Sequence, residues 1–402
     1  MKFIEGGVCA AKGFKAGAMR CGIKPSQTKK DLAMIVSDCE CSAAAVFTTN
    51  RVKAAPVLLT KKHLADGKAR AVIVNSGNAN ACAPFGIENA LRQAKAAARV
   101  LDINETDVIV ASTGVIGQTL PVEVIEEHVG EMELKYDNSL AAAEAIMTTD
   151  TKVKTIAVEF EAGGVTCHIG GICKGSGMIH PNMGTMLCFI TTDCAISPEM
   201  MQKALLANVK TTFNRVTVDG DTSTNDTCCV LANGMAGNSE IIAETADYEA
   251  FSEALHAVCK DLARKIAADG EGASHLITCT VSGASDEATA ETLAKAIVSS
   301  SLTKAAIFGA DANWGRVLCA MGYSGAAFDT EGVLVEFASK AGTIAVCENG
   351  RGLAFDEDLA KKILSEDEIE INVTLKEGTG QVTCWGCDLT YDYVKINGDY
   401  RT

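Results

Sequence analysis

The sequence predicts a mixed α/β protein, and three observations carry that assignment. Short apolar runs end in glycine-containing turns, amphipathic segments of helical period lie between them, and helix-capping residues stand where the period changes. Taken in order, Ala71–Asn75 (AVIVN) and Asp107–Ser112 (DVIVAS) read as buried strands that run into turns, with Glu88–Leu101 a helix between them. Thr155–Phe160 and Leu187–Thr192 read as further strands. Ser197 followed by Pro198 is an N-cap and first-turn signal for a helix through MMQKALLANV. A longer helix over Tyr248–Ala268 stops before Gly270, and Leu276–Val281 and Ala305–Phe308 are assigned as strands. No internal repeat or low-complexity tract interrupts the alternation.

Composition narrows the function. A chain of 402 residues, 48% hydrophobic and 22% charged, buries a sizeable core and exceeds the usual single-domain size, so two domains or two interleaved lobes are expected. The formal net charge of -15 argues against nucleic acid and against an anionic membrane surface, since phosphate binding needs clustered Lys and Arg. The N-terminal MKFIEGGVCAAKGF has no uninterrupted apolar segment of secretory type, and no apolar stretch of about 18 residues is present, so a cytoplasmic protein is expected. Seventeen cysteines at scattered positions form no secreted-type framework and are expected to be reduced and mostly buried. The pairs Cys39/Cys41 and Cys384/Cys387 lack the second, similarly spaced pair that a structural zinc site needs, and the six histidines show no HExxH spacing. No metal and no organic cofactor is expected.

The chemistry concentrates in KGSGMIHPNMGTMLCFITTD, Lys174–Asp193. Thr185 follows Gly184 and opens an apolar run, the arrangement of a concealed N-terminal nucleophile before it is exposed. Gly184 has no Cβ, so a strained backbone can bring the threonine hydroxyl to the preceding carbonyl. Attack there moves the acyl chain from nitrogen to oxygen, and water releases the ester. The freed α-amine, with an ordinary pKa of about 7.7 to 8.0, is substantially neutral near physiological pH and can serve as base for its own hydroxyl. Read from its neighbours alone, Thr185 is better taken as the start of an ordinary β-branched strand.

Glycine-rich segments elsewhere fail the nucleotide-binding patterns. In GGICKGSG, Gly170–Gly177, the lysine precedes a glycine instead of following one, so no P-loop forms, and Lys174 stands where a GxSxG elbow would need glycine. Ser176 reads as a turn residue. In STGVIGQ, Thr113 and Gly114 end a strand with a hydroxyl and a backbone amide at one point, the donors an oxyanion requires. The turn preferences of Ser and Gly favour a plain β-turn there.

KGSGMIHPNMGTMLCFITTD, STGVIGQTLP (112–121), DGDTSTNDT (219–227), DGEGASHLI (269–277), GADANWGRV (309–317) and YVKINGDYRT (393–402) together resemble one family, the ornithine acetyltransferases of arginine biosynthesis, also called bifunctional glutamate N-acetyltransferase/amino-acid acetyltransferase. The resemblance runs from Gly6 to Thr402, in the family's order. It implies layered sheets and helices of the N-terminal-nucleophile type. It also implies self-cleavage between Gly184 and Thr185 into an α chain (1–184), carrying the oxyanion hole, and a β chain (185–402), assembled as α2β2. Thr113 and Gly114 are then the oxyanion hole, Thr185 the nucleophile, and Thr148, Lys174, Thr185, Glu271, Asn397 and Thr402 the substrate contacts. The implied partners are N-acetyl-L-ornithine as acetyl donor and L-glutamate as acceptor, with acetyl-CoA a second donor in bifunctional members. Gly184 stands where the family more often has alanine. The competing readings are a hydrolase, an N-terminal-threonine amidase or aminopeptidase with water as acceptor, and a binding protein in which Thr185 is a plain strand residue.

Overall fold

A computed structural model of the protein describes residues 1–180 and 186–399, and all statements of structure concern these. The first sheet contains β1 (Lys2–Ile4), β2 (Phe14–Met19), β3 (Leu32–Phe47), β4 (Lys68–Asn78), β5 (Val108–Val115), β6 (Lys154–Ala162), β7 (Val165–Lys174), β8 (Leu187–Thr192) and β9 (Thr227–Ala232). Its helices are α1 (Ala55–His63), α2 (Gly86–Leu101), α3 (Val122–His128), α4 (Ser139–Ile146), α5 (Pro198–Thr211) and α6 (Ala246–Ala268). The strand order is β1-β6-β7-β8-β9-β3-β4-β5, with β2 paired to β3. The mixed α/β class with layered sheets is as the sequence predicts.

Burial on both faces explains why the central strands read as continuous apolar runs. All six residues of β8 and all six of β9 are buried. Successive side chains go to opposite faces: Leu187, Phe189, Cys229 and Leu231 join a core with α4, whereas Cys188, Ile190, Cys228 and Val230 join a core with α5 and α6. At the other end of the sheet, Ala71, Ile73, Val108 and Val110 pack beneath α2 and α3. The long β3 serves both halves: it pairs with β4 from Leu32 to Ser42, with a register shift between Val36 and Cys41, and with β9 from Ser42 to Phe47.

The second sheet comprises β10 (Leu276–Ala284), β11 (Leu334–Ser339), β12 (Gly342–Glu348), β13 (Arg351–Gly352), β14 (Glu368–Thr374) and β15 (Gly380–Cys387), in the order β13-β12-β11-β14-β10-β15. Helices α7 (Glu287–Ser299), α8 (Ser301–Phe308), α9 (Trp314–Gly322) and α10 (Glu357–Ile363) accompany it, and α11 (Tyr391–Asp399) ends the described chain. β14 is covered on one face only and so alternates: Ile369, Ile371 and Val373 are buried while Glu368, Glu370 and Thr374 are exposed. Leu276, Trp385 and Cys387 reach back into the core of the first sheet, which joins the two lobes.

One assignment is corrected. Ala305–Phe308 is not a strand but the last turn of α8, capped by Ser300, whose hydroxyl accepts from Thr303 N–H at 3.3 Å. Thr303, Lys304, Ala306 and Ile307 are its buried residues, a helical spacing that a four-residue apolar window does not resolve. The cap expected at Ser197 is present, with its hydroxyl accepting from Met200 N–H at 3.3 Å. Among the described residues no helix is long and apolar enough to cross a membrane.

Candidate active site

Strands β4 and β5 run parallel and end together, with Ser76 beside Thr113 and Gly77 beside Gly114. Gly114 has φ +134°, and a Cβ there would fall 2.2 Å from the Gly77 carbonyl carbon, so the crossing admits only glycine. Side-chain amides hold these ends in place. Asn225, just before β9, donates to the carbonyls of Ala79 at 2.6 Å and Ser112 at 2.8 Å, and Ser112 Oγ donates to Asn75 Oδ1 at 2.6 Å. The strand end that carries Thr113 and Gly114 is therefore rigidly placed before any ligand arrives, which is what electrostatic preorganisation requires.

Lys174 closes β7 and pairs in register with Leu187, the first residue of β8. Its side chain is buried, with Nζ 3.4 Å from Thr113 Oγ1 and 3.9 Å from Asp150 Oδ2. Asp150 is engaged elsewhere: it accepts from Lys154 Nζ at 2.7 Å, Gly175 N–H at 2.7 Å and Thr148 N–H at 3.1 Å. Lys154 also bonds Asp269 at 2.6 Å, and Asp269 in turn accepts from the backbone of Thr151 and Lys152. Burial opposes ionisation of Asp150, but Lys174 and Lys154 outweigh it and hold the carboxyl below its ordinary range. Two lysines and two aspartates thus balance inside the protein. Only Lys174 turns its ammonium toward Thr113, at the limit of ion-pair distance from its carboxylate partner.

A chain of short contacts sets the opposite wall. Thr149 Oγ1 lies 2.7 Å from the buried Ser176 Oγ, Ser176 O accepts from Glu271 N–H at 2.8 Å, and Asn397 Nδ2 on α11 donates to Glu271 Oε2 at 2.7 Å. A Cβ on Gly177 would sit 2.3 Å from the Glu271 carboxyl carbon. Ser176 is thus a turn residue that positions Glu271, and Gly177 is small because that carboxylate lies against it.

Thr113, Gly114, Thr148, Lys174, Glu271 and Asn397 all line one cavity of about 140 Å³. Six of the eight residues singled out for catalysis and substrate contact, drawn from β5, the segment after α4, β7, the segment after α6 and α11, are therefore brought together. Thr185, with Gly184 at the scissile bond, and Thr402 lie outside the described residues. Asp150, Lys154, Asp269 and Asn225 were not anticipated, because a charge pair four residues apart in DTKVK and an amide in STND look the same as surface polarity until the fold buries them. Among the described residues no group of three or more His, Cys, Asp or Glu could hold a metal ion. Cys384 and Cys387 are buried, and burial pushes their thiols up to about 12 and about 11.

The ArgJ family model matches residues 15–402, nearly the whole chain. The chain belongs to the ArgJ family. The arginine biosynthesis bifunctional protein ArgJ of Caldanaerobacter subterraneus subsp. tengcongensis is 52% identical over 405 residues, covering 100% of both chains. ArgJ 1 of Clostridium acetobutylicum is 49% identical, covering 97% of this chain and 96% of its own. Among solved structures, the arginine biosynthesis bifunctional protein ArgJ of Bacillus halodurans is 46% identical with a TM-score of 0.51, covering 53% of this chain and 98% of the solved one. ArgJ membership agrees with the resemblance carried by the six motifs.

Proposed function

We propose that this ArgJ family member transfers the acetyl group of N-acetyl-L-ornithine to L-glutamate through an acetyl ester on Thr185, releasing L-ornithine and N-acetyl-L-glutamate. The observation that carries this reading is the convergence of Thr113, Gly114, Lys174, Glu271 and Asn397 on one cavity beside the start of β8, two residues beyond Thr185 in sequence.

The enzyme first processes itself. Thr185 Oγ attacks the Gly184 carbonyl, the peptide C–N bond breaks to leave an ester, and water hydrolyses the ester to free the Gly184 carboxyl and the Thr185 α-amine. In turnover that amine takes the hydroxyl proton as Oγ attacks the acetyl carbonyl, and Thr113 with Gly114 stabilises the oxyanion. The proton goes to the departing ornithine nitrogen. The glutamate α-amine then attacks the acetyl ester, and its proton returns to Thr185 Oγ. Lys174 serves a substrate carboxylate as a compact cation, while Glu271 and Asn397 serve an ammonium, with Thr402 completing the contacts. In the bifunctional mode acetyl-CoA charges the same threonine.

Length supports the cut at 184/185: the Bacillus halodurans chain covers 53% of 402 residues, about 213, close to the 218 residues from 185 to 402. The two fragments remain associated and, by family likeness, pair as α2β2. A reducing, cytoplasmic setting suits seventeen cysteines that are all free.

Mass spectrometry of the purified protein tests processing, and acetylornithine assayed with and without glutamate tests chemistry. Two fragments and acetylglutamate formation are expected, both abolished in Thr185→Ala. Acetate in place of acetylglutamate would identify a threonine amidase, and full activity of an uncut Thr185→Ala chain would overturn the mechanism.

A further inference from the structure

The reaction proposed above asks one site to seat two amino acids of opposite side-chain charge, since ornithine ends in an ammonium and glutamate in a carboxylate. The inference that follows rests on that reading. The cavity already described has an acidic pole in Glu271. A second recess, of about 430 Å³, shares the Thr148 wall with it and is lined by Lys24, Lys29, Ser26, Gln118 and Gly77. Gly77 is the residue packed against Gly114, so the recess lies directly behind the strand crossing of the oxyanion site.

In this recess, no carboxylate among the described residues lies within ion-pair distance of the Lys24 ammonium. Its Nζ donates to the carbonyls of Met147 at 2.8 Å and Lys30 at 3.1 Å, leaving one of three donors. Asp31, the carboxylate that acts on it most strongly, is itself occupied by the N–H groups of Cys21, Gly22 and Lys24 at 2.7 to 3.0 Å. Burial, with Lys29 and Lys174 pushing the same way and Asp31 and Asp150 opposing, pulls the Lys24 ammonium down to about 8. In a chain of net charge -15, the half-buried Lys24 and the exposed Lys29 beside the acyl-transfer site are a local reversal of sign.

We propose that the Lys24 recess receives the side-chain carboxylate of the acidic acyl acceptor. Donor and acceptor side chains are then sorted by charge, the ammonium toward Glu271 and Asn397, the carboxylate past Thr148 toward Lys24. Like-charge repulsion from Lys24 and Lys29 keeps ornithine out of the recess, so the same feature that attracts one substrate rejects the other.

The test separates the half-reactions in the processed, full-length enzyme. Exchange of labelled ornithine into N-acetylornithine reads the donor half alone, and transfer to glutamate reads both. Lys24→Met is expected to raise the KM for glutamate about tenfold, the worth of one hydrogen bond to a charged group. Ornithine exchange should stay unchanged, the preference for glutamate over glutamine should collapse, and Lys24→Arg should restore most of it. An equal fall in exchange and transfer would overturn the proposal in favour of an α-carboxylate contact or a structural role. A loss confined to acetyl-CoA-dependent acetylation would overturn it in favour of a phosphate site, and no change in either assay would show the recess unused. Should Lys24→Met fail to fold, amine modification of the wild-type enzyme gives the answer: glutamate, and not ornithine, should protect Lys24. Wild-type enzyme that forms no acetylglutamate would instead sink the parent reaction.

Discussion

Gly177 shows how a side chain that is absent can matter as much as one that is present. The Glu271 carboxylate lies where a Cβ on residue 177 would have to be, so Gly177→Ala must push either the loop or the carboxylate aside. A displacement on the order of 1 Å at a positioning group can cost up to about 100-fold in rate. The expected outcome is a fall in kcat/KM for acetylornithine of about 10- to 100-fold with the thermal midpoint little changed, measured by steady-state kinetics and calorimetry. Asp226 illustrates a different pressure. Burial pushes its carboxyl well above the ordinary range, its contacts to Ser223 and Thr48 and the distant Lys174 do not offset this, and Oδ2 has no hydrogen-bond partner among the described residues. A carboxyl whose folded pKa is raised contributes stability that is fully present below its unfolded pKa, about 3.9, and is lost as pH rises toward the folded value. Asp226→Asn keeps the shape and removes the titration. Its stability relative to the parent chain should therefore increase between about pH 4 and neutrality, as thermal melts at several pH values would read; a parallel pair of profiles would refute the neutral carboxyl. Asp150 has the opposite sign, with stability present above the ordinary carboxylate range and lost as pH falls.

At the scale of elements, the decisive fact is that the proposed cut at 184/185 does not divide the chain between the two sheets. Seven strands of the first sheet precede residue 184 and two, β8 and β9, follow residue 185. They pair across the divide, β7 with β8 over Ile169–Lys174 and β3 with β9 over Ser42–Phe47. Both joining strands are fully buried and shared between two cores. The proposed scission at 184/185 would therefore remove one covalent bond and leave these ladders and their packing in place. The fragments of 184 and 218 residues are expected to co-elute in size exclusion under native conditions and to separate only in denaturant. Dissociation in dilute buffer would contradict the sheet arrangement.

For the whole molecule, the two lobes meet through Leu276, Trp385 and Cys387, which bury in the core of the first sheet. That continuity keeps Glu271 and Asn397, either side of the second sheet in sequence, at a cavity whose other wall belongs to the first. Global packing also decides thiol chemistry. Burial pushes Cys21, Cys41 and Cys384 up to about 12, with Asp31 reinforcing it at Cys21, whereas Cys82 and Cys319 are exposed. A thiol reagent on the native protein should modify Cys82 and Cys319 first, as peptide mapping would show, and early labelling of Cys384 or Cys387 would mean the second sheet opens readily.

The α/β alternation, the strands at Leu187–Thr192 and Leu276 and the Ser197 cap were legible along the chain. Each is set by local signals, hydrophobic period and capping chemistry, whereas the candidate site residues were named through the family resemblance of the six motifs. Local signals do not report what surrounds a residue. A four-residue apolar window at Ala305–Phe308 fits a strand until Ser300 and the buried Lys304 reveal a helix, and Asp150, Lys154 and Asp269 read as ordinary charges. Only the tertiary structure decided that those charges balance one another in the interior, that Gly114 and Gly177 sit at close approaches, and that no carboxylate among the described residues reaches ion-pair distance of Lys24 Nζ. Burial and electrostatic compensation arise between segments that only the fold brings together, as with Lys154 and Asp269, 115 residues apart, and no period or spacing within a segment encodes them.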